Sequence, residues 1–172
     1  MKKSVLVTGI SGAGKTTISQ KLNKLGYKAY DLDDGLELYS MIHKKTGLPI
    51  IDHDNSDLKK VKEMDWVCDK EKLASIIKNE SNDLVFYCGN ASNWKEINPL
   101  FDLIILLKIN PETMRNRLTS RTNNDYGRTS EVQDYLATKK DSWDKKIEEQ
   151  NAIVIDANGD LDSVVKDILQ KI

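Results

Sequence analysis

The segment Gly9-Ile10-Ser11-Gly12-Ala13-Gly14-Lys15-Thr16 follows a short apolar run, Val5-Leu6-Val7, and leads straight into a helical pattern. It is a complete G-x-x-x-x-G-K-T loop in its strand–loop–helix setting. Few sequence features constrain a fold so strongly, because the loop works only between the end of a buried strand and the start of a helix. Glycines let successive backbone N–H groups turn inward onto phosphate oxygens, and the helix adds its positive dipole end. Lys15 then reaches the terminal phosphates, and the Thr16 hydroxyl is placed to ligate Mg²⁺. The nucleotide contacts expected here are Gly9, Ser11, Gly12, Ala13, Gly14, Lys15, Thr16 and Thr17, and the ligand expected is a nucleoside triphosphate.

A chain of 172 residues suits one domain with a proper core, spanning 1–172. A net charge of −1 gives no electrostatic case for a nucleic-acid or membrane partner. The longest apolar run, Leu103 to Leu107, is the length of a strand, and no secretory pattern precedes the phosphate loop. Cys68 and Cys88 fall in no metal-binding spacing and read as buried apolar residues, so a reduced, cytoplasmic protein is expected, either monomer or homodimer.

Strand-like runs recur at Val5–Thr8, Lys28–Leu32, Leu84–Cys88, Leu103–Leu107 and Ile153–Ile155, with helical patterns between them. Short, continuously apolar strands separated by helices predict a parallel sheet of five strands covered on both faces, a three-layer α/β/α fold. Ile18, Leu22 and Leu25 fall on one face of the first helix, which Gly26 closes. Asn110-Pro111-Glu112 reads as a helix start, and a long helix is expected from about 131 to 149 with Val132, Leu136, Trp143 and Ile147 inward. The stretch from Leu161 to Ile172 carries a continuous apolar stripe. Two polar stretches resist this regularity, about 35–70 with only weak helical pieces, and 122–130. Acceptor sites and lids reside in such insertions.

Tyr30-Asp31-Leu32-Asp33-Asp34 ends the second strand, so its carboxylates lie at the sheet edge where open α/β sheets bind ligands. Asp31 and Asp33 point to one side. One can hold Mg²⁺ through a water while the other orients or deprotonates an acceptor hydroxyl, whereas Asp34 reads better as a helix cap. The chain holds 26 lysines and arginines, yet its only arginines are Arg115, Arg117, Arg121 and Arg128. Arg117 and Arg121 share a helix face, and Arg128 follows in a loop that can close over transferring phosphate.

The phosphate loop, Asp31-x-Asp33, Arg117-x-x-x-Arg121 and the strand end Ile155-Asp156-Ala157 together resemble the adenylate kinase-like group of P-loop phosphotransferases. Shikimate kinase and gluconate kinase belong to that group, shikimate kinase being nearer in layout. The Met64-Asp65-Trp66, Cys88-Gly89-Asn90 and Arg121-Thr122-Asn123-Asn124 stretches resemble nucleoside or shikimate kinase-like ATPases within it. The resemblance implies an acceptor-binding helical insert (about 35–70) and a mobile lid (about 118–132). It also implies that Asp33 contacts the acceptor hydroxyl, Asp31 lies near Mg²⁺, and Arg117 packs on adenine. Arg121 and Arg128 would bind phosphate, and Asp156 and Asn158 would pass beside the base.

Three departures from the group bear on chemistry. The third strand ends Phe86-Tyr87-Cys88-Gly89-Asn90 without the usual metal-binding acid, so metal would rest on Thr16, Asp31 and Asp33, water and the phosphates. Gly-Asn-Ala replaces the triple glycine of shikimate kinases. The insert has no arginine, and lysine lacks the bidentate fork that grips phosphate or carboxylate. It offers instead Asp33, Asp34, His43, His53, Trp66 and, beside it, Gly89 and Asn90, which suit an uncharged, hydroxylated acceptor. The expected activity is ATP- and Mg²⁺-dependent phosphoryl transfer to a nucleoside-like or polyol hydroxyl, with Lys15, Asp33, Arg121 and Arg128 carrying the chemistry. A nucleoside monophosphate kinase and a regulatory ATPase with no small-molecule acceptor are the alternatives. A GTPase switch is disfavoured, since Asn23-Lys24-Leu25-Gly26 lacks the guanine-reading aspartate.

Overall fold

A computed structural model describes residues 2–122 and 124–172; Asn123, part of one stretch named above, lies outside them. Five parallel strands form the centre. β1 (Lys3–Thr8) leads into α1 (Lys15–Lys24), followed by β2 (Lys28–Asp31). An antiparallel ribbon of β3 (Tyr39–His43) and β4 (Met64–Cys68) follows, with α2 (Leu58–Glu63) inside its connection. Then come α3 (Lys70–Asn79), β5 (Leu84–Cys88), α4 (Trp94–Ile97), β6 (Leu103–Lys108), α5 (Pro111–Ser120), α6 (Ser130–Glu148), β7 (Ile153–Asp156) and α7 (Leu161–Gln170). The sheet order is β2-β5-β1-β6-β7.

The strands are where continuous apolar runs place them, and the reason is burial on both faces. Val5, Val7, Phe86, Cys88, Ile105 and Leu107 fill the core on one side of the sheet, against Ile18 and Leu22 of α1 and Val165 and Ile168 of α7. Leu6, Val85 and Tyr87 fill the other, with Leu73 of α3 and Ile97. Both cysteines are buried and free. Side chains cap the helices as their sequences suggest. Asn110 accepts from the Thr113 N–H at 2.7 Å with Pro111 in the first turn, and Asp160 accepts from the Ser163 N–H at 3.0 Å. Each such cap is worth about 1 kcal/mol.

Three expectations need correction. Leu25 is half exposed, because α1 ends at Lys24 and the chain turns away through Gly26 at positive φ. Asp34 caps nothing, since the next element is strand β3. The insert is chiefly a β-ribbon rather than helical. Its strands run Tyr39↔Cys68 through His43↔Met64, and α2 supplies one short helical piece.

The ribbon does not stand alone. The Trp66 N–H donates to Ser92 Oγ at 3.0 Å, and the Ser92 N–H donates back to the Trp66 carbonyl at 2.7 Å. Asn93 repeats the pattern, accepting from the Cys68 N–H at 3.0 Å and donating to the Cys68 carbonyl at 2.9 Å. Four hydrogen bonds thus staple β4 to the loop after β5. The far side of the insert packs on α6: Val61 and Met64 meet Val132, with Leu58, Tyr126 and Tyr135 around them.

Candidate active site

The phosphate loop joins β1 to α1 with the conformation its glycines allow. Gly12 and Gly14 have φ of +87° and +97°, a region L side chains rarely adopt. A Cβ at Gly9 would lie 2.8 Å from Ala13 Cβ and 2.9 Å from the Leu107 carbonyl, so only glycine fits. Lys15 Nζ donates to the Gly9 and Ile10 carbonyls at 2.8 and 3.2 Å, which folds its ammonium back over the loop. Burial lowers the Lys15 pKa, and the Asp33 and Asp31 carboxylates oppose that shift. Thr16 lies in the first turn of α1, and Thr17 beside it is exposed.

Asp31 ends β2 in register with Cys88 of β5. Its carboxylate therefore stands on the neighbouring strand at the level where β5 lacks an acid. Asp31 Oδ1 accepts the Asp33 N–H at 3.1 Å, closing a tight turn that carries Asp33 to the edge of the site. Asp33 Oδ1 accepts the Trp66 indole N–H at 2.9 Å. Loss of hydration raises the Asp33 pKa, while Lys15 and the Trp66 hydrogen bond pull it down, and the net direction is upward. Asp34 is exposed beside it.

Arg117, Arg121 and Arg128 have separate targets. Arg117, on α5, reaches the Gly12 carbonyl at 3.3 Å through Nη1 and the Ala157 carbonyl at 2.8 Å through Nη2. It thereby ties the phosphate loop to the Asp156–Gly159 turn, where Asp156 Oδ1 accepts from Asn158 and Asn158 Oδ1 accepts the Asn110 N–H. Arg121 lies one residue beyond α5 in extended backbone, so the shared helix face stops short of it. Nη1 donates to Ser11 Oγ at 3.2 Å and Nη2 to the Tyr126 carbonyl, while its buried Nε has no partner among the described residues. Arg128 is exposed and donates to the Arg121 carbonyl at 3.0 Å, bracing the loop rather than touching the phosphate cradle.

Leu32, Tyr39, Gly89 and Asn90 line a small recess together with Leu6 and Ile97, and among the described residues the buried Asn90 Oδ1 has no partner. A Cβ at Gly89 would meet Leu32 Cβ at 2.7 Å and Tyr39 Oη at 3.1 Å. His43 sits 4.0 Å from Glu63 on the ribbon and His53 is exposed; neither bonds to the aspartates. Tyr39, Ser92, Asn93 and Tyr126 take part without having been singled out in the sequence. Only their contacts across 25 or more residues, or through a backbone carbonyl, give them away.

The cradle fits nucleotide phosphates. Its glycines leave room, Lys15 is desolvated, and the orphan Arg121 Nε is a buried donor in want of an anion. No three acidic, histidine or cysteine side chains cluster tightly enough to hold a metal unaided among the described residues. An ion here would draw on Thr16, Asp31, phosphate oxygens and water.

The probable gluconokinase of Rattus norvegicus is 38% identical over 65 residues, a match spanning 37% of this chain and 31% of that protein. The probable gluconokinase of Xenopus tropicalis is 24% identical over 184 aligned positions, covering 95% of this chain and 90% of that one. Among solved structures, deoxyadenosine kinase from M. mycoides with bound dATP superposes with a TM-score of 0.63 at 18% identity, over 98% of both chains. Shikimate kinase from Bacteroides thetaiotaomicron gives 0.61 at 16% identity, over 98% of this chain and 97% of that one. Identities this low speak to the fold, which is the α/β P-loop fold. The AAA domain family matches residues 5–136, most of the chain, including the phosphate loop, Asp31, Asp33 and the four arginines. The protein is a member of that P-loop AAA domain family.

Proposed function

We propose that the protein is an ATP-dependent kinase of a small, uncharged, hydroxylated metabolite. The observation that carries this reading is the carboxylate of Asp33, held beside a phosphate cradle and in the electrostatic field of Lys15. A nucleotide binder has no use for a base there; a phosphotransferase does. The acceptor hydroxyl would give its proton to Asp33 as its oxygen bonds to the γ-phosphorus and the bond to ADP breaks. Lys15 and Arg121 would meet the charge that grows on the transferring oxygens. Mg²⁺, held through Thr16 and Asp31, would supply further charge neutralisation. Arg128 would act by bracing Arg121, and Arg117, Asp156 and Asn158 would bound the base.

The uncharged acceptor is supported by the arginine-free ribbon and by the hydrogen-bonding and aromatic groups near Asp33, the stacked Tyr39 and Trp66 rings among them. A second reading, an anionic polyol, is favoured by the curated relatives named as probable gluconokinases. ADP release with deoxyadenosine, gluconate and shikimate separates the two. Deoxyadenosine is expected to support turnover, and a preference for gluconate or shikimate would overturn the neutral acceptor. A preference for deoxyadenosine monophosphate would point to a monophosphate kinase. Hydrolysis indifferent to every metabolite would favour a regulatory ATPase. Lys15→Ala is expected to abolish turnover. Asp33→Asn should cut kcat by about 10²-fold or more with ATP affinity nearly unchanged.

A further inference from the structure

Asp33 sits in the turn just past β2, and the cation that attracts it most is the Lys15 ammonium. Lys15 nevertheless gives its hydrogen bonds to the Gly9 and Ile10 carbonyls. Asp33 is drawn the other way by the Trp66 indole N–H. That indole is unusually well fixed. Its ring stacks on Tyr39 with centroids 5.0 Å apart and planes 3° from parallel. Its backbone is held on both sides by Ser92, one residue pair of the staple that locks β4 to the sheet. Among the described residues Asp33 Oδ2 accepts no hydrogen bond.

We propose that Trp66 is a positioning residue for phosphoryl transfer: its N–H pins Oδ1 of Asp33, keeps the carboxylate off Lys15, and leaves Oδ2 to the acceptor hydroxyl. Trp66 thus serves the reaction through Asp33 rather than as a stacking surface for the acceptor. The inference rests on Asp33 being the residue that handles the acceptor hydroxyl. Its physical basis is preorganisation, since an error of about 1 Å in a reacting group can cost 10²-fold in rate. Lys15, Asp31, Arg121, Tyr39 and Cys68 are the ionisable groups that share this neighbourhood.

The test compares wild type, Trp66→Phe, Asp33→Asn and the double variant in ADP release with deoxyadenosine. Phenylalanine keeps an aromatic ring for Tyr39 while removing the donor and part of the stacked surface, and the comparison with the double variant isolates the donor's share. The expected result is a kcat about tenfold lower for Trp66→Phe, with KM for ATP and for deoxyadenosine within about threefold of wild type. The double variant should be no slower than Asp33→Asn alone, because both changes break one link. Additive losses, or a loss confined to the deoxyadenosine KM, would overturn the positioning role. A fully active Asp33→Asn would instead sink the role given to Asp33, a separate failure. Independently of turnover, the chain's three tryptophans give three indole peaks in an amide-type ¹⁵N–¹H spectrum. The peak absent from Trp66→Phe should move in Asp33→Asn, and a stationary peak would disprove the pairing.

Discussion

Gly89 shows how closely the sheet edge beside the ribbon is built at the level of single residues. It follows β5 and lies against Leu32 and the Tyr39 hydroxyl with no space for a methyl group. Gly89→Ala must therefore push Tyr39, and with it the ring stacked on Trp66. The expected outcome is a rise in KM for the acceptor with ATP affinity unchanged, read by steady-state kinetics in both substrates. Gly9→Ala should do the reverse, since its Cβ would collide with Ala13 and the Leu107 carbonyl inside the phosphate cradle. Binding of ATP, followed by calorimetry, should weaken at least tenfold. The phosphate loop could be read from sequence because every one of its requirements is local. The Trp66–Asp33 bond spans 33 residues, and no spacing rule announces it.

At the scale of elements, the sheet was legible and the ribbon was not, for a physical reason. β1, β5 and β6 are buried on both faces and so appear as unbroken apolar runs. β3 is half-buried and polar in places, Tyr-Ser-Met-Ile-His, and β4 is held by Ser92 and Asn93 rather than by its own composition. Asn93→Ala removes two of the four staple bonds. It should destabilise the fold by about 1–3 kcal/mol and increase hydrogen exchange along β4 more than along β1. The turn before β5 makes a separate prediction. Glu80 accepts from the Tyr30 hydroxyl at 2.7 Å and from Asn82 and Ser81, and these bonds hold its pKa down at about 2. A depressed carboxylate pKa means stability present above the unfolded value, about 4.3, and lost as pH falls towards 2. In thermal melts, Glu80→Gln should therefore fall below wild type at pH 7, with the gap closing between pH 4.5 and pH 2.

Across the whole molecule the three-layer arrangement follows from the strand and helix pattern, and α6 departs from simple patterning by burying charge. It buries Lys140 and Asp144, paired at 2.7 Å, with the second carboxylate oxygen unpartnered among the described residues. Burial raises the Asp144 pKa against the pull of Lys140. Breaking such a pair leaves an uncompensated buried charge, so Asp144→Ala should cost about 3–5 kcal/mol. Replacing both partners with Lys140→Met and Asp144→Leu should come out close to neutral in denaturant melts, and a double variant as unstable as the single one would contradict this.

The loop between α5 and α6 touches both halves of the site. At one end Arg121 rests on Ser11 of the phosphate cradle; further along, Asp125 accepts from Asn55 of the insert at 2.8 Å. Any ligand that changes the free energy of this loop on one side is felt on the other. Thermodynamic reciprocity then requires that the factor by which bound nucleotide tightens the acceptor equal the factor by which bound acceptor tightens nucleotide. If the protein is the kinase proposed above, the bridge predicts one coupling factor, the same whichever ligand is titrated.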